Sequence, residues 1–572
     1  MRNLAIAIVI ILAVVFRFYQ LGFLPSSPYW EEAALGYDAY SILKTGRDHH
    51  GNWFPVVAFE SFGDWKPGMY IYATVPSIFI FGLNIFAVRF PSAVAGVAIV
   101  IGSGVLSHIL FVTHRKKTTV RSKLDRWLPV FTMLVCAVEP WGVLFSRVGW
   151  ESNLATAFTL WAMILMLLGS DESRKQLIRT MFYAGSATLM ALAMYTYHAA
   201  RLGTPVMLLA VGFYAHWPML RNFQWNKKTQ SWLKHLIIPI FLLAILLAPL
   251  VINLTSNEVT NRFATTSIFS DLSVIETSNQ LKSLAGNSVL SRLLYHRYWL
   301  FSKVIFQQIV VNLDLNYLFL HGDSNLRHSI QFFGQLFPLS FPLVLIGLAT
   351  MAYHFRKQSV LLALLFVLGT LPGALATGAP HAVRTLLIFP LWVLVIGLGL
   401  QQVLLFLSRQ KNVFQVVSTI TFSGLFIFQI LIFWMYYSQV YPKVAASQWQ
   451  YGYQEMIATV NELAAQYPED QVYITREQGR PAMYYWFYSK TDPKQVQAFQ
   501  ATAPKDQSEF LQFGRFHFID KPEQVSTDYG ILAASPLFTA DAGLEQQSTD
   551  EKHVLVLDPM DKPIWEIQTY EK

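Results

Sequence analysis

Long apolar runs alternate with short polar segments over the first three quarters of the chain. A helix needs roughly 17–25 mostly apolar residues to cross a bilayer, and eleven runs meet this requirement. The pattern predicts a polytopic α-helical membrane protein with about eleven or more spans. The predicted spans cover residues 4–23, 90–112, 128–147, 153–170, 178–197, 199–216, 236–253, 337–354, 359–376, 385–407 and 414–437.

Lysine and arginine cluster in every second loop between these runs. Because cytoplasmic loops carry an excess of basic residues, we assign these loops, and the N-terminus with Arg2, to the cytoplasm. If a further apolar run at 69–82 crossed the bilayer, the basic loop at 114–126 would lie outside the cell. The run at 69–82 is short and contains Pro76, so we expect a helix lying along the outer membrane face. The basic segments are 114–126, 173–176, 221–234, 355–358 and 408–411.

The same alternation of loops places the segments that carry acids and histidines next to apolar runs on the outer side of the membrane. On the predicted cytoplasmic side we find no phosphate-cradling glycine-rich loop, which argues against a nucleotide-using enzyme. The predicted external segments are the first loop at 25–89, the segments 139–153, 254–336 and 378–384, the turn at 197–201, and the tail.

Composition agrees with this assignment. Of 572 residues, 53% are hydrophobic and only 14% are charged. The net charge of +8 does not indicate nucleic acid, because the basic residues lie in the short loops. The single cysteine, Cys136, excludes a disulfide or a thiol metal site within one chain. The first run has no small-residue cleavage site, so we expect a retained span.

The tail, residues 438–572, is more polar and predicts an external α/β domain, with residues 1–437 forming the transmembrane domain. We see no catalytic constellation in the tail and expect it to pack or to contact the acceptor. Apolar residues at helical spacing occur at 453–467, and strand patterns occur at 471–476, 515–520, 529–535, 552–558 and 563–570.

Ionisable residues lie next to apolar runs at several external turns. Each of them has an ordinary interpretation: the first loop can be solvated, Arg17 can reach lipid headgroups, and Arg147 can pair with Glu151. Five such turns together favour a functional site. Acids there can act as a general base or hold a divalent metal, and cations can hold a phosphate. We expect His49 and His50 to be a solvated pair.

A substrate with a phosphate at the outer headgroup layer and a tail in the lipid would match such a site. Polyprenyl-phosphate sugars are substrates of this type. The residues that frame the site are Glu31, Glu32, Asp64 and Lys66 in the first loop, then Glu151, Tyr197, His198, Arg201, Asp323, Arg327, His328, His381 and Arg384.

Several motifs resemble bacterial membrane glycosyltransferases of the GT-C type, the superfamily of protein O-mannosyltransferases and the lipid A aminoarabinose transferase. The motifs are WEEAALGYDAYSILKTGRD, SFGDWKPGMYIY, RFPSAVAG, EPWGVLFSRVGWESNLA, YTYHAARL, GDSNLRHS and HAVR. The resemblance implies a GT-C fold, a polyprenyl-phosphate sugar donor and chemistry on the outer side. It also implies a catalytic acid pair in the first loop, usually Asp-Glu, where this chain has Glu31-Glu32.

The resemblance leads to an expected mechanism, a single displacement with inversion at the anomeric carbon. Glu31 is the expected base, and Glu32 either orients the loop or ligates a metal. Glu151 corresponds to a second acidic position near the acceptor. Lys66 would meet the donor phosphate with help from Arg201, Arg327 and Arg17. The expected substrate-binding residues are Asp64, Tyr197, His198, Asp323, His328, His381 and Arg384.

Two other functions stay open at this point. A transporter or flippase of lipid-linked sugars would have many spans and buried charges, but it should show paired broken spans in corresponding halves. A catalytically degenerate homologue is the other alternative, and the glutamate at position 31 favours it slightly. Neither the sugar nor the acceptor, which can be a protein, a glycan or a lipid, follows from the sequence. Cofactors are unknown, with a divalent metal as one possibility, and no nucleic acid is expected.

Overall fold

A computed structural model describes residues 1–113, 125–222, 224–225, 227–253, 266–525, 529–541 and 553–571. Most of the basic loop predicted at 114–126, two residues of the loop at 221–234, and the start of the segment 254–336 lie outside the described residues.

Each of the eleven predicted apolar runs contains α-helix. The α-helices are α1 Arg2–Phe18, α2 Trp30–Thr45, α3 Met69–Phe81, α4 Ile85–Ser107, α5 Leu128–Val138, α6 Pro140–Ser146, α7 Glu151–Gly169, α8 Gln176–Thr196, α9 His198–Arg221, α10 Lys227–Ile252, α11 Leu272–Leu284, α12 Val289–Leu294, α13 Arg297–Val311, α14 Ser340–His354, α15 Arg356–Ala374, α16 Phe389–Leu407, α17 Asn412–Met435, α18 Tyr441–Val444, α19 Tyr453–Gln466, α20 Pro481–Tyr488, α21 Pro493–Phe499 and α22 Pro536–Asp541.

The number of membrane-spanning helices is not confirmed at eleven. Among the described residues, seven helices are long and apolar enough to cross a membrane, and a bent helix pair makes eight. Helices α1 and α14 have only 17 and 15 residues, and α9 carries charged or histidine residues at both ends. The seven cover Ile85–Val112, Glu151–Gly169, Gln176–Thr196, Trp232–Ile252, Arg356–Ala374, Leu386–Leu407 and Asn412–Val444.

The bent pair, α5 and α6, replaces the single span predicted at 128–147. The two helices meet at an angle of 60°. Pro140 has no N–H to continue the helix and holds the preceding residue in an extended conformation, and Glu139 has ψ 135°. The Glu139 carboxylate is buried. It accepts the Phe337 N–H at 2.7 Å and the Ser340 hydroxyl, so it satisfies donors at the start of α14.

The chain divides into two compact units. The first contains residues Met1–Tyr19, Ser92–Ser146 and Trp150–Phe433 and is helical in its described residues. Within it, α14 and α16 cross very closely. A Cβ at Gly399 would lie 1.9 Å from the carbonyl oxygen of Leu343, and one at Gly347 would lie 2.1 Å from that of Val395. Glycine at both positions therefore permits the backbone contact, as is common in membrane helices.

The second unit contains Gln20–Pro91, Arg147–Gly149 and Trp434–Lys572. Its largest sheet has six strands in the order β6-β7-β3-β8-β10-β9, with β3 parallel to both of its neighbours. The strands are β1 Phe59–Ser61, β2 Asp64–Lys66, β3 Gln471–Thr475, β4 Lys505–Asp506, β5 Glu509–Phe510, β6 Gln512–Phe513, β7 Phe516–Ile519, β8 Tyr529–Ala534, β9 His553–Leu557 and β10 Pro563–Glu571. All five strands and the helix predicted in the tail are present.

Helix α2 lies inside this second unit, packed against α3, α20 and α21. The Tyr37 hydroxyl donates to the carbonyl of Thr491 at 3.0 Å, and the Tyr484 hydroxyl donates to that of Pro28 at 2.8 Å. The compact unit that contains the tail thus also contains the first loop. The domain boundary at 437/438, the outer-face position of α3 and the external side of the polar segments stay predictions.

Candidate functional site

The predicted acid pair lies in the first turn of α2. Tyr29 is the N-cap, and its N–H donates to Glu32 Oε2 at 3.2 Å. A carboxylate there satisfies an otherwise unpaired backbone donor and faces the positive end of the helix dipole. The sequence therefore starts the helix with both acids, Glu31 and Glu32, in its first turn.

Glu32 is also held by Arg89, which the sequence analysis did not select. Arg89 Nε donates to Glu32 Oε1 at 2.9 Å, and Nη2 donates to Oε2 at 3.1 Å. The two residues are 2% and 0% exposed. Such a two-pronged pair combines charge with fixed geometry. An arginine in the apolar sequence of α4 was the signal that could have found it.

The remaining N–H groups of Arg89 fix the chain that leads into α2. They donate to the carbonyls of Leu21 at 3.2 Å, Pro25 at 2.9 Å and Ser27 at 2.8 Å. Arg89 therefore connects residues 21–27 and Glu32 to the start of α4.

Gly149 completes the surroundings of Glu32. Its N–H donates to Glu32 Oε1 at 2.8 Å. A Cβ at this position would lie 3.3 Å from Glu32 Cγ and 3.5 Å from the Tyr70 hydroxyl, so the absence of a side chain permits the close approach. Glu32 thus accepts four hydrogen bonds, two on each oxygen.

Glu31 is in a different position, next to Lys66. Its Oε1 lies 3.5 Å from Lys66 Nζ, and the two side chains are 32% and 5% exposed. Lys66 ends β2, and among the described residues its Nζ makes no hydrogen bond. Asp64, two residues earlier, is half-buried, and its carboxylate accepts the Trp65 N–H at 2.8 Å. The arrangement offers an accessible carboxylate beside an ammonium group that has hydrogen-bonding capacity left.

The prediction that His49 and His50 are solvated is wrong. His49 is buried, and its Nδ1 lies 2.6 Å from Asp38 Oδ1 in α2. Burial alone would lower the pKa of His49, but the charge and hydrogen bond of Asp38 raise it above its usual value. Burial lowers the pKa of His50 to about 2. The contact between His49 and Asp38 therefore joins the loop that follows α2 to the middle of that helix.

The first unit brings three other predicted residues together. Asp323, His328 and His381 each offer a ligand atom, and these atoms lie within 4.8 Å of one another. Glu32 belongs to no such group among the residues that the structure describes. Within the described part of the chain, the group that could hold a metal ion is therefore these three residues of the first unit.

The structure places the other predicted residues of the first unit on several elements. Arg17 is buried and donates to the carbonyls of Cys136 and Ala137 at 3.0 Å each. Arg201 donates to the carbonyl of Met194 at 3.3 Å. The roles predicted for these and the following residues stay predictions: Glu151 starts α7, Tyr197 and His198 start α9, and Arg327 and Arg384 lie in the loops that carry the cluster.

No protein-family model matches this sequence, and no curated protein sequence matches it significantly. The structure is similar to the crystal structure of ArnT, the aminoarabinose transferase, from Cupriavidus metallidurans bound to undecaprenyl phosphate. The TM-score is 0.54 at 11% sequence identity, covering 99% of this chain and 97% of that chain. The chain has the fold of ArnT. The GT-C fold implied by the sequence motifs is thereby confirmed.

A second similarity is to the archaeal oligosaccharyltransferase AglB from Archaeoglobus fulgidus in complex with an inhibitory peptide and a dolichol-phosphate. It has a TM-score of 0.45 at 11% identity and covers 100% of this chain and 74% of that chain.

Proposed function

We propose that this protein is an integral membrane glycosyltransferase that moves a sugar from a polyprenyl-phosphate donor to an acceptor on the outer face, with inversion at the anomeric carbon. The observation that carries the proposal is the unequal placement of the two glutamates. One is enclosed by Arg89 and Gly149, and the other is accessible beside the Lys66 ammonium. The ArnT structure of the same fold contains undecaprenyl phosphate, a lipid phosphate of the proposed donor class.

The contacts of Glu32 support a positioning role for it. Each of its two oxygens already accepts two hydrogen bonds, and Arg89 balances its charge. A carboxylate in this state has little capacity to take a proton from a substrate or to bind an ion. Glu32 therefore holds the start of α2 in place so that Glu31 faces the acceptor.

Glu31 then acts as the general base. Its carboxylate takes the proton of the acceptor hydroxyl while the hydroxyl oxygen attacks the anomeric carbon. The bond from that carbon to the phosphate oxygen breaks, and its electron pair stays on the polyprenyl phosphate. Lys66 stabilises the negative charge of this leaving group. Because the leaving phosphate is a stable anion, no general acid is needed.

The test is Glu31→Gln in a deletion strain that carries the gene for the variant. We expect the transferred envelope glycan, measured by mass spectrometry, to form about 10²–10⁴-fold more slowly, since the amide keeps the size but accepts no proton. The deletion strain also identifies the sugar and the acceptor as the glycan that disappears.

Glu455→Gln is the matched control, because Glu455 is an exposed acid in the first turn of another helix. It should leave glycan formation unchanged. Wild-type glycan formation in the Glu31→Gln strain would remove Glu31 from the mechanism. A purified protein that transports the lipid-linked sugar across a vesicle membrane without releasing polyprenyl phosphate would support a flippase instead.

A further inference from the structure

Two loops of the first unit, far apart in sequence, converge on a compact group of side chains whose atom types can bind a metal ion. Asp323 and His328 lie in the loop that precedes α14, and His381 lies in the loop that follows α15. One ligand atom from each of the three lies within 4.8 Å of the other two. Both loops lie outside the candidate membrane-spanning helices.

The backbone holds the Asp323 carboxylate in a fixed orientation. Its Oδ1 accepts the Asn325 N–H at 2.9 Å, and its Oδ2 accepts the Ala382 N–H, from the second loop, also at 2.9 Å. The residue is 3% exposed. A buried carboxylate with both oxygens held by backbone N–H groups is already oriented, so little ordering remains when a ligand binds.

The two imidazoles are placed against this carboxylate. His328 is 7% exposed, and its Nδ1 lies 3.1 Å from Asp323 Oδ2. The His381 ring centroid lies 4.9 Å from that of His328. The backbone N–H of His381 donates to Asn312 Oδ1 at 3.0 Å. The Trp150 ring, at the N-cap of α7, has its centroid 5.6 Å from that of the His328 ring.

Two histidines and one carboxylate form a donor set that zinc and similar ions bind. Zinc bonds to nitrogen and oxygen are about 2.0–2.1 Å long, so two ligand atoms of a tetrahedral site are roughly 3.3 Å apart. The distance of 3.1 Å between Asp323 and His328 is close to this value. Without an ion, the same two atoms are within hydrogen-bond distance, and a bound dication would take the place of that hydrogen bond.

We propose that Asp323, His328 and His381 form a binding site for one divalent transition-metal ion of the zinc class, with a fourth position open to water or another ligand. The ion would clamp the loop before α14 to the loop after α15. This proposal goes beyond the proposed glycosyl transfer and does not depend on it. Its rival is an ion-free arrangement, in which Asp323 and His328 form a hydrogen-bonded pair and His381 packs beside them.

The test uses the full-length chain in detergent, treated with a chelator, desalted and titrated with Co²⁺ or Zn²⁺ alone. We expect about one ion per chain by elemental mass spectrometry, together with the intense visible absorption of four-coordinate Co²⁺. His381→Ala removes one ligand but keeps the Asp323–His328 hydrogen bond. It should weaken ion binding by more than about 100-fold, since losing even an outer-shell partner costs about 10–100-fold.

His321→Ala is the matched control, because His321 lies in the same stretch of chain, is exposed and bonds to Asn316 instead. It should bind the ion as the wild type does. Because a bound ion stabilises the folded state, Zn²⁺ should raise the melting temperature of both proteins. If His381→Ala aggregates, His381→Gln and the Co²⁺ spectrum of the wild type decide. A wild type without four-coordinate Co²⁺, or a His381 variant that binds the ion normally, would overturn the proposal.

Discussion

The same substitution at two neighbouring residues should affect different properties, the stability of the fold in one case and the turnover in the other. Glu31→Gln and Glu32→Gln each replace a carboxylate by an amide of equal size in the first turn of α2. We expect Glu32→Gln to destabilise the second unit strongly. We expect Glu31→Gln to cost clearly less stability while turnover falls.

The magnitude follows from burial. The Glu32 and Arg89 side chains are 3% and 0% exposed and joined by two hydrogen bonds. Removing one partner of a buried ion pair leaves an uncompensated buried charge, which costs about 3–5 kcal/mol. The Glu31 side chain is 32% exposed, so water solvates both its carboxylate and the amide of the variant, whereas its partner Lys66 is 5% exposed and loses its counter-charge. An unpaired buried polar group costs about 1–3 kcal/mol. The two variants should therefore differ by about 2 kcal/mol, roughly a 30-fold change in the folded-to-unfolded ratio.

The assay is thermal or denaturant unfolding of the purified variants in one detergent, followed by tryptophan fluorescence. Arg89→Gln should be destabilised as Glu32→Gln is. The double variant should lose much less than the sum of the two, because neither charge is then left alone. Equal stability of Glu31→Gln and Glu32→Gln, or strictly additive losses in the double variant, would refute the assigned division between a positioning acid and an accessible acid.

Three other predictions concern neighbouring residues. Lys66→Ala should weaken binding of a polyprenyl-phosphate sugar in nanodiscs more than it lowers the melting temperature, and Lys66→Arg should restore binding only in part; unchanged donor affinity would exclude the phosphate role. Gly149→Ala, whose Cβ would lie 3.3 Å from Glu32 Cγ, should cost about 1–3 kcal/mol in unfolding measurements, and an unchanged stability would contradict the close packing. Because Asp38 raises the pKa of His49, their pair should stabilise the fold below about pH 6.5, and this contribution should fall as pH rises through the raised pKa. Asp38→Asn should flatten that dependence in melting curves at several pH values, and a wild type whose stability does not fall with pH would contradict it.

Features set by local patterns were predicted from the sequence. Each of the eleven apolar runs contains α-helix, and each predicted strand of the tail pairs in the six-stranded sheet. Periodicity reports which face of an element is apolar, and it needs only neighbouring residues. The break at Glu139 and Pro140 also has a local cause, the proline, but the long apolar run at 128–147 led to the prediction of one continuous span.

Features set by distant residues could not be predicted in the same way. Arg89 and Glu32 are 57 positions apart, and Gly149 lies 117 positions from Glu32. No spacing rule connects such residues, because their contact depends on how the helices pack. The same holds for the burial of His49, since Asp38 is 11 positions away. Position in a polar loop indicated solvent exposure, and an acid on α2 reversed that expectation.

The charges of the acid pair also suggest how donor binding and base strength are connected on the proposed mechanism. Glu32 and Arg89 neutralise each other within a buried pair, whereas the Glu31 carboxylate is 32% exposed and lies 3.5 Å from the buried Lys66 ammonium. A donor phosphate that reaches Lys66 competes with Glu31 for the ammonium charge. A carboxylate that shares its cation with a phosphate anion takes up a proton more readily than one that does not. The base would therefore be strengthened only when the donor is in place, which disfavours proton transfer in the absence of the sugar.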